Sequence, residues 1–375
     1  MRLIPGAVIL VGLALLAPST TAAAATSSTT AGLEYVALGD SYSAGYGLLP
    51  LSPTSPATGC YQAEVDYPHL VATALGLDLD DRSCAGAVTA NIRDTPQVTG
   101  SGTAPVQSDA LSASTDIVTV TIGGNDLGFA SIAGYCVALT ANGPIAGDPS
   151  LDNCKDHYNP SPGVDQLIDL LDSTVAPALA ETFALIAAKA PNATVYVIGY
   201  PTIAPDAANI RQPEPPGCFT TAIGDGNPPF PVNSFPYTQT DTLYLHYIEK
   251  ELDARIQAAA TTQGFTYLPT WAASALHSVC ADDPHIFGIT LTTDAQDGEP
   301  TPLPGIYLVR GALHPNTEGV DFFASTIIAA IEADRARPAL ADTGGPDLLL
   351  PLGALAAALL AAGVALARRS RRAEG

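Results

Sequence analysis

The stretch Tyr35-Val36-Ala37-Leu38-Gly39-Asp40-Ser41-Tyr42-Ser43-Ala44-Gly45 decides how this chain is read. A short apolar run stops at a glycine, and a serine follows at once. Apolar runs bounded by glycine or proline suit strands buried on both faces. The same shape recurs on the C-terminal side. Residues 116–122 are β-branched and end in Gly123-Gly124, residues 194–198 end in Gly199, and residues 265–268 end in Pro269. A second strand is placed at 77–82, where aspartates blur the pattern. Helical periodicity occupies 164–189, 241–262 and 316–336. Strand then helix, repeated from residue 33 to 336, predicts one α/β domain with a parallel sheet and helices on both faces.

Three segments, 48–61, 203–237 and 282–304, are rich in Pro, Gly, Ser and Asp and read as long loops. Each contains or borders a cysteine: Cys60, Cys218 or Cys280. With Cys84, Cys136 and Cys154 the count is six, and an even count in an exported chain implies bridges. Spacing alone leaves the pairing open. No CxxC pair is present to signal a zinc or thioredoxin-like redox site.

The chain's 375 residues suffice for one sizeable domain or two small ones, and 47% hydrophobic against 14% charged residues makes a large core easy to fill. A formal net charge of −22 argues against nucleic acid as a partner, since phosphate backbones call for a basic surface. Both ends read as addressing segments. Arg2, the apolar run 8–17 and the small residues Ala23-Ala24-Ala25 form a signal peptide over 1–25, with a run too short to span ~30 Å of hydrocarbon. The tail, 338–375, carries Leu340-Ala341-Asp342-Thr343-Gly344, a transmembrane stretch at 348–367, then Arg368, Arg369, Arg371 and Arg372. The pentapeptide resembles the LAxTG variant of the sortase signal, which implies cleavage after Thr343; a plain single-pass anchor is the alternative. Either way the body is expected outside the membrane, attached to membrane or cell wall through the tail.

Chemistry collects where strands end, because ligands of an open parallel sheet bind outside the carboxyl ends of its strands. Ser41 stands after the first strand, and a helix starting there would add N–H groups for negative charge. Gly123-Gly124-Asn125-Asp126 closes the third, where Asn125 could turn its amide into the crevice. Gly86 follows the second and offers a bare backbone N–H. Leu313-His314-Pro315-Asn316-Thr317 precedes the last helix, with Asn316 or Thr317 as its cap and His314 free to meet Ser41. Taken singly, these read equally as a helix cap, a Gly-Asn turn and a loop histidine.

Their order along the chain is more telling. Gly-Asp-Ser-x-Ser-x-Gly, an isolated Gly, Gly-Gly-Asn-Asp and His-Pro together resemble the SGNH (GDSL) hydrolase family, and more narrowly its secreted actinobacterial esterases and lipases. The resemblance implies a three-layer α/β/α flavodoxin-like fold, Ser41 as nucleophile and His314 as base. It also implies Ser41, Gly86 and Asn125 as oxyanion donors and bridges Cys60–Cys84, Cys136–Cys154 and Cys218–Cys280. At about 2–4 kcal/mol each, such bridges restrict the unfolded chain. One position departs from the pattern: where the family usually has Asp, three residues before the histidine, stands Gly311. Some relatives orient the imidazole with a backbone carbonyl two residues before it, here that of Ala312. Asp40 is expected as a structural acceptor. No metal or organic cofactor is required, and a monomer is expected. Ester or lipid substrates come first; a carbohydrate (acetyl) esterase and a non-catalytic surface protein on this scaffold are the alternatives.

Overall fold

The opening stretch forms strand β1 (Glu34–Gly39), buried from Tyr35 onward. The coordinates, a computed structural model, describe residues 30–210 and 218–336. The segments read as signal peptide (1–25) and as sorting signal (338–375, with its apolar stretch 348–367) lie outside the described residues. Beside β1 lies β2 (Asp78–Asp81), followed in sequence by a hairpin of β3 (Gln97–Thr99) and β4 (Gly102–Ala104). Then come β5 (Ile117–Thr121), β6 (Thr194–Ile198) and β7 (Thr266–Leu268).

The central sheet is parallel, in the order β2-β1-β5-β6-β7. Counted along the chain its strands therefore run second, first, third, fourth, fifth, the flavodoxin-like order. In such a sheet the switch point falls between the first and third strands, here β1 and β5, paired Gly39 to Thr121 at their carboxyl ends. β5 is buried at every residue, which explains its unbroken β-branched sequence. β2 is an edge strand and remains partly exposed, so its aspartates are tolerated there.

Helix Tyr67–Leu75 is capped by Asp66, whose carboxylate accepts the His69 N–H at 2.9 Å. It meets helix Thr317–Ala336 through Tyr67 and Phe323. The helical stretch expected over 164–189 runs as Gln166–Leu170, a π turn Leu171–Val175 and Ala176–Lys189. Ala176–Lys189 packs against helix Gln239–Thr262. Asn316 caps the last helix, accepting the Gly319 N–H at 2.9 Å.

One loop expectation is corrected. Segment 282–304, read as irregular, contributes to a small antiparallel sheet of β8 (Leu291–Thr292), β9 (Gly298–Pro300) and β10 (Tyr307–Val309), in the order β8-β10-β9. Strands of two or three residues are too short to show a period. The cysteines form three bridges: Cys60–Cys84, Cys136–Cys154 and Cys218–Cys280.

Candidate active site

β1 ends at Gly39, whose φ of +137° and tight surroundings require glycine: a Cβ there would stand 2.5 Å from the Thr121 carbonyl oxygen. Buried Gln107 clasps this residue from both sides. Its Oε1 accepts the Gly39 N–H at 2.8 Å, and its Nε2 donates to the Gly39 carbonyl at 2.9 Å. The chain then turns through residues 41–47 without forming a helix, so the helix-terminus contribution expected at Ser41 is absent. The Ala44 N–H bonds the Asp40 carbonyl at 3.0 Å and the Tyr46 N–H bonds that of Ser41 at 3.0 Å, which closes a compact turn instead.

This turn presents Ser41 Oγ 2.7 Å from His314 Nε2, although the two residues stand 273 positions apart. On the far side of the ring, Nδ1 lies 2.9 Å from the Ala312 carbonyl. Leu313 adopts φ +61°, and its own carbonyl accepts the Tyr42 hydroxyl at 2.7 Å. The loop is further laid against Phe287, whose N–H donates to the His314 carbonyl and whose carbonyl accepts the Leu313 N–H, both at 2.9 Å.

Gly311 stands where the resemblance would place a carboxylate. Its φ is +91°, and a Cβ there would come within 3.1 Å of Gly47 Cα and 3.3 Å of Phe287 Cδ2. A side chain at this position would be strained by the left-handed φ, and Gly47 and Phe287 would have to give by a few tenths of an ångström. Burial pushes the His314 pKa down to about 4, with the Ala312 carbonyl opposing the shift, so the ring is neutral near pH 7.

The other strand-end blocks arrive at the same cleft. The Cys60–Cys84 bridge and the Ala85 N–H to Cys60 carbonyl bond (3.0 Å) steady the approach to Gly86, which sits at φ +81°. Asn125 Nδ2 donates to the Ala87 carbonyl at 3.0 Å, and among the described residues its second N–H has no other acceptor. Asp126 accepts the Thr89 N–H at 3.0 Å and the Thr89 hydroxyl at 2.6 Å, which locks the Gly86 and Asn125 segments together. Among the described residues, the backbone N–H groups of Ser41 and Gly86 have no acceptor.

Asp40 is buried and accepts the Tyr42 N–H at 2.9 Å and the Tyr200 hydroxyl. It is thus a structural acceptor, and burial pushes its carboxyl up to about 7. Tyr200 also accepts the Gly124 N–H at 2.9 Å, so one phenol joins the serine turn to the Gly-Gly-Asn-Asp turn. Tyr200, Gln107 and Tyr42 are not singled out by the sequence pattern. Tyr200 could have been flagged by its place just beyond the β6 carboxyl end; Gln107 carries no local signal.

Ser41, Gly86, Asn125 and His314 all line a cleft of about 460 Å³. A smaller cavity of about 40 Å³, almost wholly apolar, shares Phe129, Ile203 and Leu252 with it. Glu249 also borders both. It accepts the Ile203 and Ala204 N–H groups at 3.1 and 3.0 Å, and burial pushes it up to about 8. That shift keeps most of this carboxyl uncharged at neutral pH.

A serine on a neutral imidazole at the carboxyl edge of a three-layer α/β/α sheet marks a hydrolase of that architecture. Residues 37–322 match the model of the GDSL-like Lipase/Acylhydrolase family; the chain belongs to this family and is a carboxylic ester hydrolase. It is 34% identical over 277 residues to Lipase 2 of Streptomyces coelicolor, covering 72% of this chain and 83% of that protein. It is 28% identical over 314 residues to an Esterase of Streptomyces scabiei, covering 79% and 85%. The crystal structure of phospholipase A1 from Streptomyces albidoflavus superposes with a TM-score of 0.56 at 24% identity, covering 80% of this chain and 99% of that one. An extracellular lipase from Streptomyces rimosus gives 0.55 at 21%, covering 80% and 100%. At such identities these two structures speak for the fold alone.

Proposed function

We propose that the protein hydrolyses carboxylic esters with apolar acyl groups by a two-step transfer through Ser41. The observation that carries this reading is the 2.7 Å contact of Ser41 Oγ with His314 Nε2 in a cleft shared with Gly86 and Asn125. His314 takes the hydroxyl proton as Ser41 attacks the ester carbonyl. The Ala312 carbonyl accepts the Nδ1 proton and so fixes the tautomer that leaves Nε2 as the base. The developing oxyanion meets the Ser41 and Gly86 N–H groups and the Asn125 amide. Expulsion of the alcohol, protonated by His314, leaves an acyl-Ser41 ester, and the imidazole then activates water to release the acid.

Phe129, Ile203 and Leu252, shared by the cleft and the small apolar cavity beside it, support an apolar acyl group as the part of the substrate bound there. Export of the enzyme fits its three disulfides, which persist in oxidising compartments. The test is a p-nitrophenyl ester series of increasing acyl length, run beside acetylated xylan. Turnover of the ester series over xylan, lost in Ser41→Ala, supports the reading; preference for xylan, or activity kept in Ser41→Ala, contradicts it.

A further inference from the structure

Gly86 can serve an oxyanion only while the peptide unit that joins it to Ala85 faces the cleft. Residues 84–87 make a tight turn, closed by the Ala87 N–H on the Cys84 carbonyl at 3.0 Å, with Gly86 in its third position at φ +81°. A positive φ there is the mark of a type II turn. A type I turn differs by reversal of the central peptide, which would carry the Gly86 N–H to the opposite face. Glycine takes either sign of φ at little cost, so the turn by itself does not hold one orientation.

Gln97 supplies what the turn lacks. Its Nε2 donates to the Ala85 carbonyl at 2.7 Å, the acceptor end of the same peptide whose N–H belongs to Gly86. The Ala85 N–H is held in turn by the Cys60 carbonyl at 3.0 Å. Gln97 opens β3 and pairs with Ala104 across the hairpin, so its backbone is anchored. Ala85, Gly86 and Gln97 all line the cleft. Gln97 Oε1 is buried without a partner among the described residues, which leaves the bond to Ala85 as the contact this amide makes.

We propose that Gln97 is a positioning residue for acyl transfer: by holding the Ala85 carbonyl, it keeps the Gly86 N–H turned toward the oxyanion. The inference rests on the reading of Gly86 as an oxyanion donor. Reversal of the Ala85–Gly86 peptide would put a carbonyl oxygen where a donor is needed, and two negative oxygens would then face each other. A donor on the Ala85 carbonyl also polarises the peptide and strengthens its N–H as a donor. Gln97 reaches the reacting atoms only through this peptide. Its removal should therefore cost less than the 10²–10³ of a lost oxyanion donor.

Gln97→Met keeps the length of the side chain and removes the donor. It should lower kcat on a p-nitrophenyl ester about tenfold, with KM and melting temperature nearly unchanged. An alkylboronic acid, whose tetrahedral adduct on Ser41 sets an oxygen at the oxyanion position, should bind more weakly by a similar factor. Gln97→Glu is the second variant. Its carboxylate repels the Ala85 carbonyl at pH 8, and its deficit against the wild type should shrink toward pH 5 as the carboxyl regains an O–H to donate. Wild-type kcat in Gln97→Met overturns the proposal. So does a loss that arrives with a raised KM and a lowered melting temperature, or a Gln97→Glu deficit that does not move with pH. Asn125→Ala, measured alongside, separates the two levels. If it loses 10²–10³ in kcat while Gln97→Met loses nothing, the role of Gln97 alone is refuted; if both are silent, the oxyanion reading falls and this inference with it.

Discussion

Two regions of the molecule meet at the site and are built on different principles. Ser41, Gly86 and Asn125 stand just past the ends of β1, β2 and β5, neighbouring strands of one parallel sheet. Sheet pairing fixes their positions, and the side chains of Gln107, Tyr200 and Asp126 brace the turns between them. His314 comes from the other regime. Segment 277–316 has only two- and three-residue strands, and a disulfide, an isolated bridge to Pro315 and a left-handed Leu313 hold it. A strand end needs only a correct local sequence to place its residue. A loop needs many weak restraints, and in this one the Ala312 backbone carbonyl meets His314 Nδ1 at 2.9 Å.

The largest expected effect is on the pair that joins the regions. Ser41→Ala should lower kcat about ten-thousandfold or more, with the melting temperature retained. His314→Ala should cost about as much, and the double variant little beyond either single one, because the two act as a unit. Additive losses in steady-state kinetics would show that they work separately. Within the strand-end region, Asn125→Ala should lower kcat by about 10²–10³ while KM changes little; an effect on KM alone would make Asn125 a binding group.

Within the loop region, Gly311→Asp restores the family's usual residue and should nevertheless harm. The left-handed φ and the crowding from Gly47 predict a loss of about 1–3 kcal/mol in denaturant unfolding, with no gain in kcat. Faster turnover at unchanged stability would break that account. The smallest effect is a displacement in pH. Burial favours the neutral imidazole, so protonation, and with it loss of the base, should come only as pH falls through about 4. The acidic limb of kcat/KM should lie there; a limb near 6.5, the ordinary histidine value, would mean that the ring is solvated in the working enzyme.

The same contrast governs how far sequence could be read. β1, β5, β6 and β7 are legible because each is a continuous apolar run with a breaker after it, and the residues just past such runs are the natural candidates for chemistry. β2 is faint because an edge strand tolerates Asp78, Asp80 and Asp81. The small sheet of β8, β9 and β10 leaves no periodic trace, and helix Tyr67–Leu75 was passed over between stronger signals. His314 was legible as a motif, whereas the reason for Gly311 is three-dimensional: it lies against Gly47, far away in sequence. Gln107 and Tyr200 act through contacts 68 and 76 positions distant, which local pattern cannot supply.

The central claim is that a loop histidine and a strand-end serine form one reacting unit. Treatment with a fluorophosphonate probe, followed by peptide mapping, tests it most directly. The account predicts a single adduct on Ser41, formed rapidly in the wild type and lost in His314→Ala. An adduct on another serine, or undiminished labelling without His314, would contradict it.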